Sequence, residues 1–213
     1  MSNADARLLA SRRIDPSDQR PPLAQALRIG LYDEWHALAV YDAVIRRFGP
    51  VRPFSNIVHS EAAHARALSR LCARYGVPEP VNDWPGKVRL PATLAECAAA
   101  GVADEIENVA MYDNFLSYPM PPDAVAVFRE LKAASGTRHL PAFQRAAARL
   151  GGTAAGAAPR GGRGDGAGGR RCSSSAGGPP GVNNFPVMLA VAGAVALGLG
   201  ALRIFSGHNG RRA

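Results

Sequence analysis

Cysteine is scarce in this chain, and what there is cannot build a framework. The 213 residues include three, Cys72, Cys97 and Cys172. The number is odd and no two form a C-x-x-C, which excludes a disulfide scaffold, a zinc knuckle and a rubredoxin-type iron site. Reduced thiols of a cytoplasmic domain are the plain reading. The first 25 residues lack an apolar run of signal-peptide length, so no secretion signal is expected. Between Leu23 and Leu150 there is no basic face with aromatic residues among its charges, and nucleic acid is not an expected partner. The formal charge of +8 belongs to the tail. Residues 1–150 carry 18 Lys and Arg against 16 Asp and Glu, a difference of +2. Residues 151–213 carry seven Arg against one Asp, a difference of +6.

A further absence is more pointed. Four apolar helical stripes contain acidic or imidazole groups but no Lys or Arg. Leu27, Leu31, Leu38, Tyr41 and Ile45 flank Glu34; Ile57, Leu68 and Leu71 flank Glu61 and His64. Val102, Val109, Tyr112 and Leu116 flank Glu105, and Phe128, Leu131 and Phe143 flank His139. Carboxylates on a core face are costly unless something positive meets them. A metal ion is the simplest candidate, and a hydrogen-bonded network through Tyr41, Tyr112 or Asn108 is the alternative.

The punctuation of the chain predicts an all-α domain. Residues 1–22 are polar, end in Pro21-Pro22, and read as a flexible N-terminal arm. A first helix spans about 23–48 and stops at Gly49-Pro50; a second runs from Pro53 to Tyr75, with Gly76 and Pro78 beyond. The Pro-rich stretch 77–92 is long enough to cross a bundle. Thr93 and Glu96 form a capping box for a third helix to about Ser117. Asp123 is the expected N-cap of a fourth, in which Gly136 and Pro141 predict a kink or break near His139. Four helices with one long crossover make a bundle over residues 23–150.

Two of these helices repeat a pattern. Glu34 is followed after seven residues by Tyr41-Asp42, and Glu105 by Tyr112-Asp113. Seven residues are nearly two turns, so each Glu and Tyr share a face. Tyr41 and Tyr112 are expected to orient the carboxylates. Glu61 and His64 form E-x-x-H, which also lies on one face. Carboxylates with imidazole suit iron or manganese, and the candidate metal ligands are Glu34, Glu61, His64, Glu105 and His139.

On these residues the sequence resembles the ferritin-like diiron-carboxylate superfamily, in particular a bacterial branch of uncharacterised members. The resemblance runs over residues 24–147 through DEWHALAVYDAVI, FGPVRPFSNIVHSEAAHARAL, RYGVPEP, GVADEIENVAMYD and RHLPAFQR. It implies a ferritin-like four-helix bundle in which single glutamates (here Glu34 and Glu105) and two E-x-x-H motifs hold one or two ions. Glu61 and His64 match the first motif. His139 matches only the histidine of the second, because Gly136 stands where its glutamate is expected. The resemblance further implies iron, or manganese, and a ferroxidase- or peroxidase-like oxidoreductase served by an unidentified electron donor. A metal-free helical adaptor is the other expectation.

Residues 151–183 form a Gly/Arg-rich linker, with 12 Gly among residues 151–181, too polar to fold alone. Residues 184–205 follow, uncharged up to Arg203 and of a length that suits a transmembrane helix. Ala190, Ala194 and Gly198 would form a small-residue face suited to pairing of two copies in lipid. A short basic tail, residues 206–213, ends the chain. The expectation is a single-pass membrane protein with a C-terminal anchor and a cytoplasmic N-terminal domain; a buried fifth helix is the alternative.

Overall fold

The longest helix begins where a proline starts it and ends where a glycine stops it. The computed structural model describes residues 3–155, and the described residues are helical, without strands. After α1 (Asn3–Ser11) comes α2 (Pro22–Phe48), closed by Gly49 at φ 84°. A short link leads to α3 (Phe54–Arg74), which packs along α2 as a hairpin. The expected capping box opens α4 (Leu94–Leu116): Thr93 Oγ1 accepts from the Glu96 N–H at 3.2 Å, and Glu96 Oε2 accepts from the Thr93 N–H at 2.9 Å. Next come α5 (Pro122–Ala134), a π-helical turn (Ser135–His139) and α6 (Leu140–Ala155), all three packed on α4.

The connection between α3 and α4 travels along α2. Near the start of α2, Arg28 donates to the Pro78 carbonyl at 2.6 Å, and Trp84 Nε1 donates to the Tyr32 carbonyl at 3.0 Å. Near its end, Arg47 donates to the carbonyls of Pro91 and Ala92 at 3.0 and 2.8 Å. The chain therefore crosses the length of the bundle before α4 begins, as the Pro-rich stretch predicts. Trp84 packs against Tyr32 and His36, with ring centroids 5.0 and 4.3 Å apart.

The core has two apolar parts. Leu27, Leu31, Leu68, Met111, Phe115 and Phe128 belong to one; Tyr41, Val44, Phe54, Ile57, Cys97 and Phe143 belong to the other. Along each helix the buried acids and histidines fall between the two. Cys72 and Cys97 are separate, buried, free thiols.

Two expectations need correction. Residues 1–22 are not wholly a loose arm, because α1 docks on α2 and buries Leu8, Leu9 and Ile14 in the core. Three apolar side chains among polar neighbours suffice, because Gln25 secures the return: its Oε1 accepts from the Asp15 N–H at 2.9 Å and its Nε2 donates to the Arg20 carbonyl at 2.7 Å. Asp123 does not cap α5. Proline at the first position starts that helix, where its missing N–H costs nothing, and Asp123 accepts from the Tyr75 hydroxyl instead. The interruption expected near His139 is present and takes the form of a π-turn. Pro141 has no N–H to donate, and Leu140 N–H reaches back five residues to the Ser135 carbonyl.

The helix α6 also continues past the expected start of the linker, to Ala155. The rest of that linker, the expected membrane helix at 184–205, the tail at 206–213 and Cys172 lie outside the described residues. Among the described residues, no helix is long and apolar enough to cross a membrane.

Candidate metal centre

Each ligand predicted from sequence is buried, and all five meet between the two apolar parts of the core. They come from four places: Glu34 from α2, Glu61 and His64 from α3, Glu105 from α4, and His139 from the end of the π-turn. Their ligand atoms form two triads, Glu34–Glu61–His64 and Glu61–Glu105–His139, within each of which the atoms lie inside 4.8 Å of one another. Glu61 belongs to both. Its Oε2 accepts from His64 Nδ1 at 2.7 Å, and its Oε1 lies 3.1 Å from His139 Nδ1. The two imidazole rings are roughly parallel, 5.8 Å apart.

The tyrosines of the repeat cross over. Tyr41 of α2 donates to Glu105 Oε1 of α4 at 3.1 Å, and Tyr112 of α4 donates to Glu34 Oε1 of α2 at 2.8 Å. Such pairing requires α2 and α4 to run antiparallel. Burial, reinforced by the facing glutamates, pushes both phenols well above their ordinary pKa, so both remain donors and fix one oxygen of each carboxylate.

Of the buried side-chain atoms that make no hydrogen bond among the described residues, two belong to these five ligands: Glu34 Oε2 and His139 Nδ1. Their nearest partners, His64 Nδ1 at 3.4 Å and Glu61 Oε1 at 3.1 Å, are poorly placed for one. Unpaired buried polar atoms are rare because each costs about 1–3 kcal/mol. A carboxylate oxygen and an imidazole nitrogen left open beside a shared glutamate are the donor set a transition metal takes. Each triad has the residue types and spacing that could hold a metal ion.

The imidazoles also provide positive charge themselves, which the stripe pattern alone does not reveal. Burial opposes their protonation, but Glu34 and Glu61 outweigh it at His64 and raise it to about 10. Glu105 and Glu61 do the same for His139, raising it to about 9. Burial would raise Glu61 too, yet His139, His64 and a contact with Glu34 hold it down at about 2. Glu34 goes the other way: burial and the facing Glu61 carboxylate push it well above the usual range despite His64.

Gly136 does not take the place of the missing glutamate. The π-turn advances each residue through a smaller angle than an α-helix does, so the position three before His139 swings off its face. Gly136 sits against Val109, whose Cγ2 would be 3.4 Å from an added Cβ. The buried residue on the turn before His139 is Ser135, whose hydroxyl donates to Asn108 Oδ1 at 3.0 Å. Asn108 Nδ2 donates in turn to Asp33 Oδ2 at 2.9 Å, and Asp33 Oδ1 lies 2.6 Å from Arg12 Nε. This chain of contacts has only a faint sequence signal. Asn108 is one turn beyond Glu105, but nothing in the pattern brings Arg12 to it. Glu107, two residues from Glu105, points away and pairs with Arg12. Of the remaining described histidines, His59 is exposed and His36 is half-buried against Trp84.

No protein-family model matches the chain, and no curated protein matches it. Among solved structures it is similar to the crystal structure of a hypothetical protein from Methanococcus jannaschii DSM 2661. That similarity has a TM-score of 0.56 at 20% sequence identity, covering 65% of this chain and 86% of the other. At that identity the likeness concerns the fold alone.

Proposed function

We propose that the chain is a ferritin-like bundle that binds a pair of transition-metal ions, iron foremost and manganese as the alternative, and acts as an oxidoreductase on Fe(II), dioxygen or peroxide. The observation that carries this reading is the sharing of Glu61 between two triads, each completed by one further glutamate and one histidine. Bound iron would supply one-electron redox chemistry and an open coordination position.

The residues have separate tasks. Glu34, Glu61 and His64 would hold one ion, and Glu61, Glu105 and His139 the other. Three carboxylates neutralise most of the charge of two divalent cations, and Tyr41 and Tyr112 keep two of those carboxylates aimed. Ser135 offers no carboxylate, so the second triad keeps room for water or a small oxidant. A pocket of about 10 Å³ reaches Glu61 and Glu105 from the side of Arg12. It has room for about one water, which favours dioxygen or peroxide over any organic substrate. On sequence alone, the proposal extends to a membrane anchor at 184–205, pairing of copies through its small-residue face, and an electron donor not yet identified.

A metal-free adaptor at the membrane is the second reading, favoured by the charge that His64 and His139 supply from within the site. Metal analysis separates the two. Full-length protein from iron-supplemented cells should contain about two irons per chain, and Glu61→Gln should lose both while Glu34→Gln loses one. A wild-type chain that folds and carries no metal would sink the redox reading.

A further inference from the structure

We propose that Arg12 is a removable plug in the route by which a divalent cation reaches the buried glutamates. The proposal rests on the metal reading above and concerns how the site is filled. The small pocket beside the centre has Glu61 and Glu105 at its inner end and Arg12, Asp33 and Asp104 at its outer end. It therefore joins groups that would hold a cation to groups that solvent can reach. Asp33 and Asp104 line that end and Glu107 lies beyond it, on the far side of Arg12; their side chains become more exposed from Asp33 at 7% through Asp104 at 36% to Glu107 at 56%. Three carboxylates graded in this way make a path down which a cation is drawn.

In this structure the positive charge on that path belongs to the protein. Arg12 Nε lies 2.6 Å from Asp33 Oδ1, its Nη2 lies 3.7 Å from Asp104 Oδ1, and its Nη1 pairs with Glu107 Oε2. One guanidinium thus engages all three acids, and its own side chain is only 19% exposed. While it is there, a second cation meets a filled passage and a mouth whose negative charge is partly offset.

The mounting of Arg12 suits a part that moves. It follows directly on α1, a helix of nine residues, too short to persist without its docking contacts. Its backbone lies in the left-handed region at φ 54°, which an L side chain rarely adopts and surrounding contacts must maintain. Only three apolar side chains, Leu8, Leu9 and Ile14, hold the segment in the core; its other ties are polar and partly buried, Asp5 to Arg20 and Arg28 at 2.6 and 2.8 Å, the Asp15 N–H to Gln25 Oε1 at 2.9 Å and the Ile14 N–H to Asn114 Oδ1 at 2.8 Å. Segments held by few buried contacts open locally far more often than the whole domain unfolds. Release of α1 would withdraw Arg12 and leave the three carboxylates facing solvent without their partner.

The test is the rate of loading. Full-length metal-free protein is mixed with rising Co(II) at fixed pH and ionic strength, and cobalt absorbance is followed for wild type and Arg12→Gln. The wild-type rate should level off at high Co(II), because release of the plug becomes limiting. The variant should load about tenfold faster, the low end of what an uncompensated acidic cleft gives, in proportion to Co(II) and to the same final count. Equal rates with equal final binding would overturn the plug and leave the metal reading standing. No Co(II) on either chain would overturn both. Should Arg12→Gln fail to fold, the wild-type curve decides alone: levelling supports the plug, and strict proportionality to Co(II) refutes it.

Discussion

Tyr112 reaches from one half of the repeat to the other and donates its hydroxyl to Glu34 at 2.8 Å. Removing that hydroxyl leaves a fully buried carboxylate oxygen without its donor. Tyr112→Phe should therefore destabilise the metal-free protein by about 1–3 kcal/mol and weaken Co(II) binding by about 10–100-fold, with Tyr41→Phe acting alike through Glu105. Urea unfolding and equilibrium titration measure the two effects. Unchanged affinity in both variants would show that the phenols do not aim the carboxylates.

Stability of the metal-free protein should fall on the alkaline side. His64 and His139 are raised from 6.5 to about 10 and 9 by the glutamates around them. Because the folded values exceed the unfolded ones, their contribution is fully present below about pH 6.5 and is lost as pH rises through 9 to 10. The urea midpoint should drop between pH 7 and pH 10. Metal affinity should rise over the same range, since a bound cation displaces those protons. A midpoint that stays flat across this interval would mean that the imidazoles are not charged in the fold.

At Gly101, α4 lies close against the Phe143 ring of α6. A Cβ there would lie 2.7 Å from two atoms of the Phe143 ring, and that ring is wedged against Phe54 and Tyr41 with centroids 5.1 and 5.5 Å away. Gly101→Ala should cost about 1–3 kcal/mol, although alanine is the better helix former by about 1 kcal/mol. Gly136→Ala, which meets only Val109 at 3.4 Å, serves as the comparison and should change stability little. Thermal melting distinguishes them, and equal melting temperatures would contradict the packing described.

The sequence was most legible where one residue's role follows from its own helix. Periodicity places α2, α3 and α4 within a residue or two of their observed ends, and Thr93 and Glu96 announce their cap. Glu34, Glu61, His64, Glu105 and His139 each interrupt an apolar stripe, and each is buried. What the pattern hides depends on meetings between elements. That Tyr41 serves Glu105 rather than its own helix's Glu34 follows only from the antiparallel pairing of α2 and α4. Docking of α1 rests on Leu8, Leu9 and Ile14, too few to stand out in a polar stretch. The exchange of Ser135 for Gly136 beside His139 comes from the wider π-turn, and a glycine followed by a proline announces a flaw without giving its geometry.

From Gln25 to Glu34 every residue of α2 except Arg28 is buried. Most helices keep one side wet; this stretch is walled in by α1, by the crossing connection and by the helices of the core. Glu34 therefore stands on an axle rather than on an outer wall. Its backbone cannot tilt or slide without displacing every neighbour at once, and so the geometry of the first triad is set by the whole surrounding fold instead of by the few side chains that touch it.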